Sequence, residues 1–343
     1  MKAILKETAG PGFVMKEVPK PEKLGPREVL VKIRRASICG TDVHIYKWDE
    51  WSQSRINPPL IVGHEMAGEV VAIGEAVTQV KVGDLVSAET HIPCEHCVQC
   101  KTGRMHVCKN LEILGVDRNG VFTEYAIIPE TVLWRFSKEI PLDYASVMEP
   151  FGNAIHTALV TDLTGKKVLI TGAGPIGLMA IQVAKASGAS LVITSEVDPN
   201  RIQMAKENGA DIVINPAEQD LVKSIYTITD DGVDILLEMS GNKKALEDGL
   251  KCVTMGGEAS LLGIFGGSID INLDSLVIMR GITIYGITGR KMFDTWKVAD
   301  ELLRSKKVDL SKVVTHVLPF EDWEKGFELM LNKQCGKVVL NLD

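Results

Sequence analysis

Seven cysteines stand in the chain, and four of them fall close together at Cys94, Cys97, Cys100 and Cys108. The spacing C-x2-C-x2-C-x7-C can close a tetrahedral shell of four thiolates, the construction of a structural zinc site with no position left for a substrate. A ferredoxin-type cluster is the rival, since its first three cysteines share this spacing. There, however, the fourth cysteine follows after about three residues with proline behind it, whereas here the gap is seven and Lys109 follows. A disulfide framework is disfavoured because an intracellular chain keeps its thiols reduced. Four-thiolate zinc is the expectation.

A second set differs in character. Cys39, in ICGTDVH, and His64 and Glu65, in IVGHEMAGEV, supply a thiolate, an imidazole and a carboxylate. Three protein ligands with a fourth position open are what catalytic zinc requires. Taken singly, Cys39 reads as a small buried hydrophobe and His64 as a core histidine. Neighbours on an extended strand point to opposite faces, so His64 and Glu65 can share a metal only if the chain bends there. Glu149, in MEPFGNAIHTAL, is the competing carboxylate, either as a ligand or close behind the metal.

A third pattern is Gly172-Ala-Gly174-Pro-Ile176-Gly177, which follows the apolar run KVLIT and opens a helical segment. In that context the first glycine allows the tight turn, the second lets the backbone approach a pyrophosphate, and the third lets helix and strand pack closely. The helix amino terminus offers free N–H groups to the phosphates. Glu196 directly follows the run LVITS, nineteen residues after Gly177. A carboxylate there accepts hydrogen bonds from ribose hydroxyls and repels a 2′-phosphate, which favours NAD over NADP. Arg201, five residues on, either flanks the adenine or is a solvated helix charge.

These residues need elements to hold them. Residues 1 to about 150 carry short β-type runs, at Val29 to Ile33, Glu69 to Ile73 and Glu124 to Ile128, punctuated by Gly and Pro turns. From Lys167 apolar strands alternate with helical segments: KVLIT, Pro175 to Ser187, LVITS, Pro199 to Asn208, DIVI, VDILLE, a helix near Lys243 to Cys252, ASLLG and TIYG. That rhythm predicts βαβ units and a parallel sheet with helices on both faces. The last fifty residues return to helix, VVTHVL, helix and KVVLNL, too little for a core of their own. They are expected to pack on the first part. The fold class is therefore α/β: a mostly-β catalytic domain from 1–150 and 290–343, and a doubly wound parallel-sheet domain of Rossmann type from 151–289.

Composition sets the outer limits. With 343 residues, 45% hydrophobic and 24% charged, the chain is an ordinary globular protein of roughly two domains. A net charge of −7 without any basic run argues against a nucleic-acid surface. The uncharged stretch Val168 to Ala184 is broken by glycines and Pro175 and falls short of the ~20 residues of a spanning helix. The amino-terminal residues lack the apolar core of a secretory signal. A cytoplasmic protein with no membrane partner is expected.

A catalytic zinc set, a four-cysteine lobe and a later dinucleotide turn, in this order, resemble the zinc-dependent medium-chain alcohol dehydrogenase superfamily over essentially the whole chain. Within it, the segment from Cys39 to Gln53, the His91-Ile-Pro-Cys94 run and EPFGNAIHTAL from Glu149 look like the L-threonine 3-dehydrogenase family. The resemblance implies a GroES-like catalytic domain completed by the carboxy-terminal segment, NAD, and one catalytic and one structural zinc per subunit. It also implies oxidation of the 3-hydroxyl of L-threonine to 2-amino-3-oxobutanoate in a cytoplasmic homotetramer. Residue by residue it implies Cys39, His64 and Glu65 as catalytic-zinc positions with Glu149 close by, and Thr41 and His44 as a charge-relay pair. It further implies Ile176, Glu196, Arg201, Leu262, Gly263, Ile264, Ile287 and Thr288 as NAD contacts. Glu196 stands where Asp is more usual, with the same charge.

The chemistry gives these roles a reason. A free hydroxyl is far too weak an acid near pH 7, and zinc lowers the pKa of bound water from about 15.7 to about 7. The released proton can be relayed by the Thr41 hydroxyl and handed to solvent by the His44 imidazole. His91 is the candidate for the substrate pocket. His96, His106, His156 and His316 read as structural, Cys252 and Cys335 as ordinary thiols, and Trp48 and Trp51 either wall the site or pack in the core. The competing functions are another zinc polyol or secondary-alcohol dehydrogenase acting on sorbitol or 2,3-butanediol, and a catalytically inactive protein that binds zinc and NAD.

Overall fold

In the computed structural model, which describes residues 1–343, the strand Glu28–Ser37 is buried along most of its length. Such a run needs neighbours on both edges. One edge pairs antiparallel with Glu65–Ile73; the other pairs with Tyr125–Pro129 near its start and with Lys337–Asn341 near its end. The full sheet has seven strands, extended by Leu85–Ala88 and Leu133–Arg135 on one side and Val314–Pro319 on the other. Val29, Val31, Ile33, Met66, Val70, Val86, Ile128, Val338 and Leu340 fill its core. The carboxy-terminal strand thus lies directly against the strand that leads into Cys39, and Ser37 faces both Glu65 and Val339.

Two units emerge, one of residues 1–150, 291–304 and 314–343, the other of 151–290 and 305–313. The expected boundary, with all of 290–343 in the catalytic domain, differs at Arg290 and at 305–313. Side-chain amides explain the second difference. Gln182 donates to Asp309 O at 2.8 Å and accepts from Asp309 N at 2.7 Å, while Asn208 donates to Lys312 O at 3.4 Å. The loop's backbone is satisfied by the second unit.

That second unit is a six-stranded parallel sheet in the order Ile212–Ile214, Leu191–Ser195, Lys167–Thr171, Val233–Glu238, Val253–Leu261, Thr283–Gly286. In sequence terms the order is 3-2-1-4-5-6, so it reverses between Lys167–Thr171 and Val233–Glu238. Open sheets of this kind bind ligands at the carboxyl ends of the strands beside such a reversal. Helix Pro175–Ala186 buries every residue from Gly177 to Ala184, and Asp198 caps Pro199–Glu207 through the N–H groups of Asn200 and Arg201. No helix is long and apolar enough to cross a membrane.

Several helices carried no sequence prediction, three of them beside the candidate site. Gly40–Lys47 buries only Asp42 and Ile45, too few to show a period, and its start is set by a capping box between Cys39 and Asp42. Glu50–Arg55 is short and capped by Asp49. Met148–Ala158 contains Pro150 and Gly152, which mask it.

Candidate active site and metal centres

The bend that His64 and Glu65 require lies at Gly63. Its φ of +85° is open to glycine, and a Cβ there would fall 2.1 Å from the Phe122 ring. His64 therefore leaves the strand direction just before Glu65–Ile73 begins. Ligand atoms of Cys39, His64 and Glu65 all lie within 4.8 Å of one another. Cys39 is half-buried, His64 and Glu65 are buried. Of the two competing carboxylates, Glu65 belongs to this cluster. Glu149, buried near the start of Met148–Ala158, acts on it as a neighbouring negative charge.

Two residues outside the sequence reading hold this cluster. Asp42 is wholly buried; its Oδ2 accepts the Cys39 N–H at 2.9 Å, and its Oδ1 lies 3.5 Å from His64 Nδ1. One carboxylate thus fixes the Cys39 backbone and orients the imidazole, the arrangement usual behind a metal-bound histidine. Neither Asp42 Oδ1 nor His64 Nδ1 has another hydrogen-bond partner. Burial alone would push the imidazole pKa down, but Asp42, Cys39 and Glu149 outweigh it and carry His64 up to about 10. The negative charge that holds this proton would equally hold a divalent cation, and metal binding releases such protons. The donor set, the proximity and the charge fit zinc.

Lys337 is the second. From the first residue of the carboxy-terminal strand its ammonium donates to Ile38 O at 2.8 Å and pairs with both Glu65 oxygens, at 2.8 and 2.6 Å. Register explains the meeting: Lys337 shares a sheet face with Val339, which lies across Ser37 from Glu65. Burial would lower the ammonium pKa, but Glu65 and Cys39 reverse this, so the net direction is up. Capping signals point to Asp42 in the sequence, as C-x-x-D before a helix. Nothing local marks Lys337.

Thr41 Oγ1 lies 3.9 Å from Cys39 Sγ. His44, one helical turn on, shares its face of Gly40–Lys47 and is exposed, with Nδ1 paired to Asp49. The helix thus carries a hydroxyl at the ligand end and an imidazole at the solvent end. Trp48 packs inward, with its ring 4.6 Å from Lys6 Nζ, whereas Trp51 is 43% exposed and meets His44 edge-on. His91 opens the short strand His91–Ile92, and its N–H donates to Glu89. His156 pairs with Gly289 O.

The four-cysteine lobe is closed in space as well as in sequence. All four sulfurs lie within 4.8 Å of one another; Cys97 Sγ is 3.5 Å from Cys100 Sγ and 3.8 Å from Cys108 Sγ. A tetrahedron with Zn–S of about 2.3 Å has edges of about 3.8 Å. Backbone N–H groups of Cys100 and Lys109 draw the Cys97 thiol down to about 6, while burial pushes Cys100 up to about 12. The site fits zinc and bears no disulfide.

In the second unit Gly172 holds φ +89° with a Cβ position 3.0 Å from Ser240 Cα, and a Cβ at Gly177 would strike Gly172 O at 2.1 Å. Gly174 differs: its Cβ position is open, with only Arg201 Nη1 within 4.0 Å. Arg201 Nε is buried without a hydrogen-bond partner. An open backbone beside an unsatisfied guanidinium fits a dinucleotide phosphate. Glu196 is buried and ties the turn to its strand, accepting Ala173 N at 2.8 Å and Val197 N at 2.7 Å. Ile176 lies in the first turn of Pro175–Ala186. Leu262, Gly263 and Ile264 follow Val253–Leu261, and Ile287 and Thr288 follow Thr283–Gly286, all at carboxyl strand ends. Ile264 is 91% exposed.

Comparison with known proteins finds two family matches and full-length relatives. An alcohol dehydrogenase GroES-like domain matches residues 25–138, and a zinc-binding dehydrogenase domain matches residues 175–305. An L-threonine 3-dehydrogenase of Pyrococcus horikoshii is 52% identical over 344 residues, covering 100% of this chain and 99% of its own length. Among solved structures, an alcohol dehydrogenase from Thermus sp. ATN1 superposes with a TM-score of 0.91 at 29% identity, covering 99% of each chain. The 2R,3R-butanediol dehydrogenase from Bacillus subtilis gives 0.89 at 27% identity, covering 100% of this chain and 99% of that one.

Proposed function

Because this chain belongs to the L-threonine 3-dehydrogenase family of zinc-dependent alcohol dehydrogenases, we propose that it oxidises the 3-hydroxyl of L-threonine with NAD, giving 2-amino-3-oxobutanoate and NADH. The observation that carries this reading is the Cys39, His64 and Glu65 cluster at the root of a helix bearing Thr41 and His44. When bound, zinc supplies the Lewis acidity that makes a hydroxyl acidic near neutral pH, and NAD accepts the hydride. Cys39, His64 and Glu65 would hold the catalytic zinc and Cys94, Cys97, Cys100 and Cys108 the structural one. Gly172, Gly174, Gly177, Glu196 and Arg201 would hold NAD, with Ile176, Leu262, Gly263, Ile264, Ile287 and Thr288 lining it. His91 would contact the substrate.

The chain's own task is then the proton. Thr41 receives it beside Cys39, and His44, exposed and held by Asp49, passes it to water. Glu149 stands next to the ligands as a further carboxylate, which gives the proton relay a nearby acceptor. Replacing His44 with alanine is expected to lower kcat by about 10²-fold at low and neutral pH, with zinc content unchanged and the deficit shrinking as hydroxide becomes available. Loss of zinc in that variant would contradict the relay role.

A substrate panel tests the reaction. NADH formation with threonine should exceed that with 2,3-butanediol or sorbitol. Sorbitol as the best substrate would place the chain with the polyol enzymes, and binding of zinc and NAD without turnover would favour the inactive reading. A cytoplasmic homotetramer is the proposed state. Thr283–Gly286 forms the sheet edge of the second unit, and Ile278 and Met279 just before it are 66% and 77% exposed, surface that another copy would cover.

A further inference from the structure

Glu238 ends the strand Val233–Glu238 with no solvent exposure and no cation paired to it. A buried carboxylate is costly unless hydrogen bonds compensate, and here they do. Glu238 Oε1 accepts from Ser240 N at 2.8 Å, Gly241 N at 3.0 Å, Thr171 Oγ1 at 3.4 Å and the Ser240 hydroxyl, and Oε2 receives Gly241 N at 3.3 Å. Its backbone carbonyl takes the N–H groups of Leu262 and Gly263 at 3.0 and 3.2 Å.

The place of these bonds gives them meaning. Across the sheet, Glu238 faces Thr171 on one side and Leu261 on the other. Thr171 immediately precedes the glycine turn, and Leu261 immediately precedes the loop of Leu262, Gly263 and Ile264. Glu238 therefore joins both loops at the reversal of strand order, where ligands of such sheets bind. The spacing is tight. A Cβ at Gly263 would sit 2.4 Å from Glu238 Oε2, and one at Gly172 would sit 3.0 Å from Ser240 Cα.

We propose that Glu238 is a positioning residue for the dinucleotide, gathering the Ser240–Gly241 turn under the glycine turn and fixing the distance between the two cofactor loops. It touches neither the metal clusters nor the proposed proton relay. This rests on the reading of NAD as cofactor.

The test is direct binding of NADH, followed by its fluorescence, to the full chain and its variants. Glu238→Leu removes both side-chain acceptor oxygens, leaving the backbone carbonyl in place, and should weaken NADH about tenfold, the equivalent of about 1.4 kcal/mol. Glu238→Gln keeps one acceptor oxygen and should bind within about threefold of the wild type. In Glu238→Leu, KM for NAD should rise while KM for threonine, kcat at saturating NAD and zinc content stay unchanged, a split that a general loss of structure would not produce. Should Glu238→Leu fail to fold, Ser240→Ala removes a single donor and should weaken NADH by about threefold. Unchanged NADH affinity in the folded variants, or losses of NAD and threonine affinity in parallel, would overturn the inference alone. A wild-type chain that does not bind NADH would overturn the cofactor reading and this inference with it.

Discussion

Replacing Lys337 with methionine is expected to lower turnover by about 10- to 100-fold, the cost usual for losing the partner that orients a metal ligand. The same change should lower the melting temperature markedly. The Lys337 ammonium is buried and shared between Glu65 and the Ile38 carbonyl. Methionine fills similar space but leaves the wholly buried Glu65 carboxylate without its cation, and breaking a buried pair from one side costs about 3–5 kcal/mol. At roughly 2–4 °C per kcal/mol for a domain of this size, the melting temperature should fall by about 6–20 °C. The backbone next to Cys39 also loses its anchor, so both ligand segments loosen at once. Lys337→Arg keeps the charge and should recover much of the stability. Scanning calorimetry and steady-state kinetics decide the matter; a methionine variant melting within a degree or two of wild type would show that Glu65 does not depend on Lys337.

Cys97→Ser should remove the structural zinc proposed for the lobe from Cys94 to Cys108 and leave that lobe unable to hold its shape. Little else supports that lobe. Its helix Val98–Lys101 is a single turn, Val98 is 67% exposed, and only Cys100 and Cys108 are buried in it. Binding of structural zinc is worth about 10–16 kcal/mol in small domains without a core, far more than this segment's packing can supply. The ladder between His91–Ile92 and Glu112–Ile113 should survive, because it closes the lobe from outside. The expected result is the loss of one zinc ion per chain by elemental analysis, with rapid proteolytic cleavage confined to the lobe. Unchanged zinc content and unchanged protease resistance would count against a metal-held lobe, and bound iron would replace zinc as the ion.

Several parts of the molecule were legible in the residues alone. The central parallel strands show as continuous apolar runs because both of their faces are covered, so KVLIT, LVITS and VDILLE match their elements closely; TIYG at the sheet edge also matches its strand, although it is mostly exposed. The strand ending at Leu261 begins earlier than its apolar run, at Val253, since exposed Met255 and Gly256 hide its first half. Short helices such as Gly40–Lys47 escaped because a cap, rather than a hydrophobic period, starts them.

The sequence by itself determined the features whose geometry is set by near neighbours in the chain: the four-cysteine lobe and the glycine turn, where a handful of residues fixes every distance. It also named Cys39, His64 and Glu65, but left open how adjacent residues on a strand could serve one site. The tertiary structure decided that through Gly63, wedged against Phe122 in a conformation suited to glycine. It alone joined Asp42 to His64 and Lys337 to Glu65, the latter across 272 residues. Those pairings depend on strand register and burial, which bring distant side chains onto one sheet face, and no local spacing records them.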